Sequence, residues 1–165
     1  MSISKRYFLV FYYRYKDKIF TYFWYRVNFN STVAEDLTSD VFLKALANFE
    51  SFDQSRTFNA WIYTIARNHL LNYYRTANRE IELPNATDLN TDCRKQVELS
   101  LELSKIIEKI KELDSYYREV LLLRFVDGLD NKEMAEVLGK EEGAVRTQIS
   151  RALNELRKKL PTLYG

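Results

Sequence analysis

The chain of 165 residues is poor in cysteine, histidine, glycine and proline, with one, one, four and two of each. A single cysteine, Cys93, excludes an internal disulfide and a CxxC zinc pair, and a single histidine removes most imidazole chemistry. An all-β protein needs turn residues about every ten positions, and so few glycines and prolines do not supply them. Leu, Glu, Lys and Arg dominate instead, and they favour helices. We therefore expect an all-α protein that uses neither a metal nor a cofactor.

Long hydrophobic runs are also absent from the sequence. The uncharged stretches at residues 7–13 and 19–25 span seven residues each, whereas a bilayer takes about 20. Lys5 and Arg6 precede only a short apolar stretch, and no small-residue cleavage site follows, so the start is a poor signal peptide. We expect a cytoplasmic protein that does not insert into a membrane.

Charge is distributed unevenly along the chain, although the net charge is only +2. Residues 1–79 carry net +5 and residues 80–112 net −3, and the residues from Arg146 onward are again mostly basic. Two basic zones on either side of an acidic middle suggest two surfaces that contact one long anion.

The first half of the chain has the spacing of three helices. Half of the 24 aromatic residues lie between Tyr7 and Phe29, at intervals of three and four that predict an amphipathic helix. A capping box of Thr32 and Glu35 predicts the start of a second helix. Its buried stripe should contain Leu37, Val41, Ala45, Phe42 and Leu46. Residues 48–57 are expected to form a loop, and a third helix should run from Phe58 to about Arg75.

The pattern breaks after the third helix and then restarts. Residues 78–96 begin with a polar, aperiodic stretch around Pro84, which predicts a linker between a domain at residues 1–77 and a domain at residues 97–165. Asp114 is placed to cap a helix that reaches Val126. A helical stripe before it contains Leu99, Leu103, Ile106, Ile110 and Leu113.

The last part of the chain has the layout of a helix-turn-helix. Asp130 and Glu133 form a capping box for a short helix that Gly139 closes, and a long basic helix begins near Gly143. Its outward side should present donors to base edges and phosphates in a major groove, although a solvated helical hairpin is an open alternative. The outward residues are Gly143, Thr147, Ser150, Arg151 and Asn154, with Arg146 and Gln148 on the flanks.

Three segments in order resemble a known family. AEDLTSDVFLKALANFESFD, FNAWIYTIARNHLLNYYR and YREVLLLRFVDGLDNKEMAEVLGKEEGAVRTQISRALNELRKKL are similar to regions two and four of bacterial sigma factors of the extracytoplasmic function (ECF) type, in the sigma-70 family. The resemblance implies two small helical domains joined by a flexible linker. It also implies a dissociable RNA polymerase subunit that directs the core enzyme to promoters and is not itself an enzyme. A stand-alone helix-turn-helix transcriptional regulator is the alternative, and the region-two segment argues against it.

The resemblance also implies where partners bind. The polymerase core, through its clamp and flap, would be one partner, with Glu35, Asp36, Ser39 and Asp40 at the clamp. Promoter DNA would be bound as a single strand at the minus-ten element and as duplex at the minus-thirty-five element, and an anti-sigma factor is a further family expectation. Trp61 is expected in the core, with a stacking platform for a base as the alternative, and His69 has no evident partner and is expected to be structural. The minus-ten residues would be Asn48, Phe52, Arg67, Asn68, Asn72 and Arg75, and the minus-thirty-five residues Arg146, Thr147, Gln148, Ser150 and Arg151.

Overall fold

The computed structural model describes residues 3–77 and 101–160, and the regular elements within these ranges are helices. The chain divides into two compact units, Met1–Glu82 and Leu83–Gly165. The prediction of an all-α protein with two small helical domains is confirmed. The predicted linker at residues 78–96 lies outside the described residues.

Over residues 3–77, the first unit contains three α-helices around an aromatic core. They are α1 (Ile3–Arg26), α2 (Ser31–Asn48) and α3 (Phe58–Ala77), and a 3-10 turn, Phe49–Ser51, follows α2. Phe8 lies edge-on to Phe42 and Phe49, with ring centroids 6.5 and 5.4 Å away. Phe11 of α1 stacks on Phe58 of α3 at 4.1 Å. The crowded aromatics of α1 therefore hold α2 and α3 together, since each buried ring removes a large apolar area from water.

The turn between α1 and α2 corrects one prediction. Asn28 and Phe29 have left-handed backbones, with φ of 54° and 59°, and the buried Phe29 ring packs 4.1 Å from Trp24. Asn30 then takes the extended N-cap conformation, and its side-chain oxygen accepts from the backbone N–H of Val33 at 3.1 Å. The predicted capping box starting at Thr32 is wrong, because Asn30 already caps the helix and Thr32 lies within its first turn.

Helix α3 is fixed at both ends. At its start, the Thr57 hydroxyl oxygen accepts from the backbone N–H of Ala60 at 3.2 Å. Near its end, the Tyr74 hydroxyl donates to the backbone carbonyl of Arg26 at the end of α1. Arg26 is itself buried, and its guanidinium lies 3.8 Å from the centre of the Tyr22 ring. The Tyr74 bond therefore ties the end of α3 to the end of α1.

In its described part, residues 101–160, the second unit contains four α-helices. They are α4 (Leu101–Lys111), α5 (Ser115–Leu121), α6 (Asn131–Leu138) and α7 (Glu142–Lys159), and α5 continues into a π-helical turn, Leu122–Val126. The predicted Asp114 cap is confirmed, because its carboxylate accepts from the backbone N–H of Tyr116 at 3.2 Å. The core of the unit contains Val120, Leu121, Leu123, Leu129, Met134, Val137, Val145, Ala152 and Leu156.

Helices α6 and α7 form the predicted helix-turn-helix pair. The Asp130 carboxylate accepts from the backbone N–H of Glu133 at 2.8 Å and caps α6. Gly139 ends α6 in the left-handed conformation at φ 64°, where a side chain would be strained. Glu141 occupies the N-cap of α7 without a side-chain capping bond. A tight turn thus connects a short supporting helix to a long one.

Candidate functional site

The exposed face of α2 carries the predicted acidic residues. Ala34, Leu37, Val41 and Ala45 are buried against the rest of the first unit. The opposite side is solvent-exposed and presents Glu35, Asp36, Ser39 and Asp40. Because this face is polar, exposed and held by a buried stripe on the other side, it is available to a basic partner.

Two leucines extend this face beyond the predicted residues. Leu43 is 65% exposed and Leu46 is 42% exposed. The prediction that Leu46 belongs to the buried stripe is wrong. The apolar residues of α2 spread over more of its circumference than α1 and α3 cover, so Leu46 is left exposed. The helical positions of Leu43 and Leu46, close to Asp36 and Ser39 on a wheel, could have identified them from the sequence.

A side-chain cluster joins α2 to α3 at one edge of the acidic face. The Nε2 atom of His69 lies 3.1 Å from Oδ2 of Asp40, and its Nδ1 atom lies 2.9 Å from Nζ of Lys44. The expectation that His69 has no partner is therefore wrong. Asp40 is an exposed carboxylate as predicted, but one of its oxygens already has a partner within the unit.

The minus-ten candidates occupy two positions on the first unit. Phe52 and Trp61 are half-buried with ring centroids 4.8 Å apart, so Trp61 belongs to an aromatic cluster that retains an exposed edge. Farther along α3, Asn68, Asn72 and Arg75 form an exposed stripe at helical spacing.

The other two minus-ten candidates are placed differently from this stripe. Arg67 is half-buried. Asn48 is exposed, but its amide donates to the backbone carbonyl of Lys44 at 2.8 Å, so its side chain helps to end α2.

The outward face of α7 is placed as the sequence predicts. Gly143, Thr147, Ser150, Arg151 and Asn154 are exposed, Arg146 is exposed on the flank and Gln148 is half-buried. Arg146 donates to the Glu142 carboxylate at 3.0 Å. Among the described residues, Arg151 has no carboxylate partner, so its guanidinium is available to an anion.

A basic groove continues this face toward the end of α7. It has a volume of about 580 Å³ and is lined by Tyr117 of α5 and by Arg151, Asn154, Glu155, Arg157 and Lys158 of α7. Lys158 donates to Glu155 at 3.0 Å. From Gly143 to Lys158 the helix rises about 22 Å, which exceeds the roughly 12 Å width of a major groove. The two ends of this face therefore reach different parts of a bound duplex.

Two carboxyl groups lie together at the start of α6. Partial burial raises the pKa of Glu133 to about 7, with further contributions from a hydrogen bond to Asp130 and from its charge. The pKa of Asp130 is lowered, chiefly because its carboxylate accepts from the backbone N–H of Glu133. At neutral pH the Glu133 carboxyl is therefore protonated in part of the molecules. The pair lies at the start of α6, the helix that supports α7.

The described residues offer neither a metal site nor a membrane-spanning helix. Within residues 3–77 and 101–160, no group of three or more His, Cys, Asp or Glu side chains could hold a metal ion. None of the helices in these ranges combines the length and hydrophobicity that crossing a membrane requires.

Comparisons with known proteins identify the family. A model described as Sigma-70 region 2 matches residues 11–80, and one described as Sigma-70, region 4 matches residues 103–156. The ECF RNA polymerase sigma factor SigW of Bacillus subtilis is 34% identical over 163 residues, covering 90% of this chain and 86% of SigW. The chain belongs to the ECF sigma factors of the sigma-70 family. Its region-2 unit contains α1, α2 and α3, and its region-4 unit contains α4 to α7.

A second curated relative and a solved structure support the same assignment. The ECF RNA polymerase sigma factor BldN of Streptomyces coelicolor is 35% identical over 154 residues, covering 90% of this chain but only 58% of BldN. This chain therefore spans less than two thirds of the length of BldN. The structure of CnrH in complex with the cytosolic domain of CnrY matches with a TM-score of 0.70 and 26% identity, covering 95% of this chain and 89% of CnrH.

Proposed function

We propose that this protein is a sigma factor that directs core RNA polymerase to specific promoters and helps to open them. One observation carries the proposal. The same chain has an exposed acidic helix face in its region-2 unit and an exposed polar helix face in its region-4 unit. A stand-alone regulator does not need the acidic helix face of the region-2 unit. The polymerase supplies the phosphodiester chemistry, and this subunit supplies recognition and strand capture.

Core polymerase is proposed to dock on α2. Glu35, Asp36 and Asp40 offer carboxylates to basic side chains of the partner, while Ser39 contributes a hydroxyl. The exposed Leu43 and Leu46 add apolar contact area next to these charges.

The minus-ten element is proposed to bind as a single strand along α3 and the loop before it. Asn68 and Asn72 are one turn apart on an exposed stripe, so their amides can bond to the edges of unstacked bases. Arg75 on the same stripe can pair with a phosphate, and the exposed edge of the Phe52 and Trp61 cluster offers a stacking surface.

The minus-thirty-five element is proposed to bind as duplex along α7. Arg146, Thr147 and Gln148 lie near the start of the helix, where the recognition helix of a helix-turn-helix contacts base edges. Ser150 and Arg151 follow on the same face. The basic groove at Arg157 and Lys158 is proposed to hold phosphates of the strand that borders the major groove.

Regulation is proposed to occur through an anti-sigma partner. CnrH, which shares the fold and 26% identity, was solved with the cytosolic domain of CnrY bound to it. A partner that covered the exposed face of α2 would compete directly with core polymerase.

Run-off transcription tests the proposed function. Core polymerase without a sigma factor is incubated with a library of genomic duplex fragments, with and without this protein, and the transcript start sites are mapped. We expect a small set of start sites that depend on the protein and share upstream sequence elements. Specific DNA binding by the protein alone, with no start site that depends on it, would show a stand-alone regulator instead.

A further inference from the structure

The only histidine of the chain bridges the proposed docking helix and the proposed strand-capture helix. His69 lies on α3 between Asn68 and Asn72, and its side chain is only 12% exposed, whereas that of Asp40 is 53% exposed. The ring is edge-on to the buried Phe23, with 6.4 Å between ring centroids. Its two nitrogens contact Asp40 and Lys44 of α2, at 3.1 and 2.9 Å.

The two contacts assign the protons of the ring. A lysine ammonium can only donate, so the His69 Nδ1 atom that faces Lys44 must be an acceptor. The ring proton then lies on Nε2, which donates to Oδ2 of Asp40. A doubly protonated ring would place an N–H against the Lys44 ammonium. With Lys44 facing Nδ1 and Asp40 facing Nε2, the geometry fits the tautomer that carries the ring proton on Nε2.

We propose that His69 is a positioning residue for polymerase docking, because it holds the Asp40 carboxylate in the orientation that a basic partner side chain meets. The inference rests on the proposed docking of core polymerase on α2. One Asp40 oxygen accepts from His69, and a carboxylate has about four lone-pair sites, so acceptor capacity is left for a partner. Fixing the rotamer before binding reduces the entropy that docking must remove.

The arrangement also connects the two proposed sites of the region-2 unit. His69 is buried along most of its surface and held on one side by Phe23, so it does not follow the motions of an exposed side chain. Asp40 thus takes its orientation from α3, the helix that carries Asn68 and Asn72. The docking face of α2 and the strand-capture stripe of α3 are aligned through this hydrogen bond.

Affinity for core polymerase in variants of the full chain tests the proposal. The amide nitrogen of a glutamine lies near the position of His Nε2, whereas an asparagine amide is one bond shorter and corresponds to Nδ1. We expect His69→Asn to weaken binding about two- to fivefold, the upper part of the range of an exposed charged pair, and His69→Gln to restore most of the affinity. His69→Asn combined with Asp40→Ala should be no weaker than Asp40→Ala alone. Thr76→Ala, at an exposed position of the same helix, is the matched control and should bind like the parent.

Nitrogen-15 NMR of the imidazole gives a second measurement that does not depend on polymerase. Because the chain has one histidine, its ring signals are unambiguous. We expect the Nε2–H tautomer in the parent, and in Asp40→Ala the same tautomer with a shifted Nε2 signal, because the hydrogen bond to the carboxylate is lost while Lys44 still faces Nδ1. The helical circular dichroism of Asp40→Ala should be unchanged. An Nδ1–H tautomer in the parent would overturn the proposal, even if the His69 variants fold poorly.

The remaining outcomes separate this inference from the docking proposal. Asp36→Lys lies on the same face without contacting His69, so it tests docking alone. If Asp36→Lys weakens core binding while His69→Asn does not, the positioning role is wrong and docking on α2 stands. If neither variant changes core binding, docking on α2 is wrong and the role of His69 is refuted with it.

Discussion

The carboxyl pair at the start of α6 predicts a pH-dependent stability that one substitution should remove. Glu133 is half-buried beside the Asp130 carboxylate, and its pKa in the folded protein is raised from 4.5 to about 7. The folded state therefore holds the Glu133 proton more strongly than the unfolded state does. The stability that this proton contributes is present below pH 4.5 and is lost as the pH rises through about 7.

The magnitude follows from the size of the pKa change. At about 1.36 kcal/mol per pKa unit, a rise from 4.5 to about 7 corresponds to at most about 3.4 kcal/mol. Because Glu133 is half-exposed, solvent screens the interaction, and we expect about 1 kcal/mol. Glu133→Gln keeps the size and polarity of the side chain but cannot ionise. It should therefore be more stable than the parent at pH 8 by about 1 kcal/mol, or about 4–8 °C in the Tm of a unit of this size.

Thermal unfolding followed by circular dichroism at pH 5 and pH 8 measures this effect. The gain of Glu133→Gln should shrink at pH 5, where the Glu133 carboxyl of the folded parent is protonated. Glu108→Gln, at an exposed position of α4, is the control and should change neither Tm. An equal increase in Tm at both pH values, or no increase at pH 8, would show that the Glu133 carboxyl does not hold a proton in the folded protein.

Four further predictions concern the proposed interfaces and the domain organisation. Asp36→Lys should reduce co-purification with core polymerase without loss of helical signal, and unchanged binding would exclude this face of α2. Arg151→Ala should weaken binding to the upstream duplex element by about 1–3 kcal/mol in a mobility-shift assay, whereas Asn68→Ala should leave duplex binding intact and reduce permanganate reactivity of unpaired thymines with core present. Lys158→Ala should make log K for DNA binding depend less steeply on log salt concentration, with the slope reduced in magnitude by about 1. An unchanged slope would show that Lys158 does not contact a phosphate. Limited proteolysis should cut first within residues 78–96, and protection of that segment in the free protein would contradict the linker prediction.

The local signals of the second unit were interpreted correctly, because the interacting residues are close in the chain. The Asp114 and Asp130 caps and the Gly139 terminator each act within three or four residues, so the sequence contains both partners. The outward face of α7 follows from helical periodicity alone, because Val145, Ala152 and Leu156 define its buried side. The family resemblance required only that such segments occur in the right order.

Packing between helices decided what local patterns could not. Asn30 and Thr32 are both good N-caps, and the burial of Phe29 against Trp24 brought Asn30 to the capping position. Leu46 is apolar, yet it is exposed because α1 and α3 cover only part of α2. His69 contacts Asp40, which lies 29 residues earlier in the sequence.

The existence of the helices and the outward residues of α7 were thus determined by the sequence itself, since hydrophobic period and capping depend on neighbours within one or two turns. The width of each buried face and the partners of polar side chains were decided by the tertiary structure. Both depend on which helix lies alongside, and no local pattern contains that information.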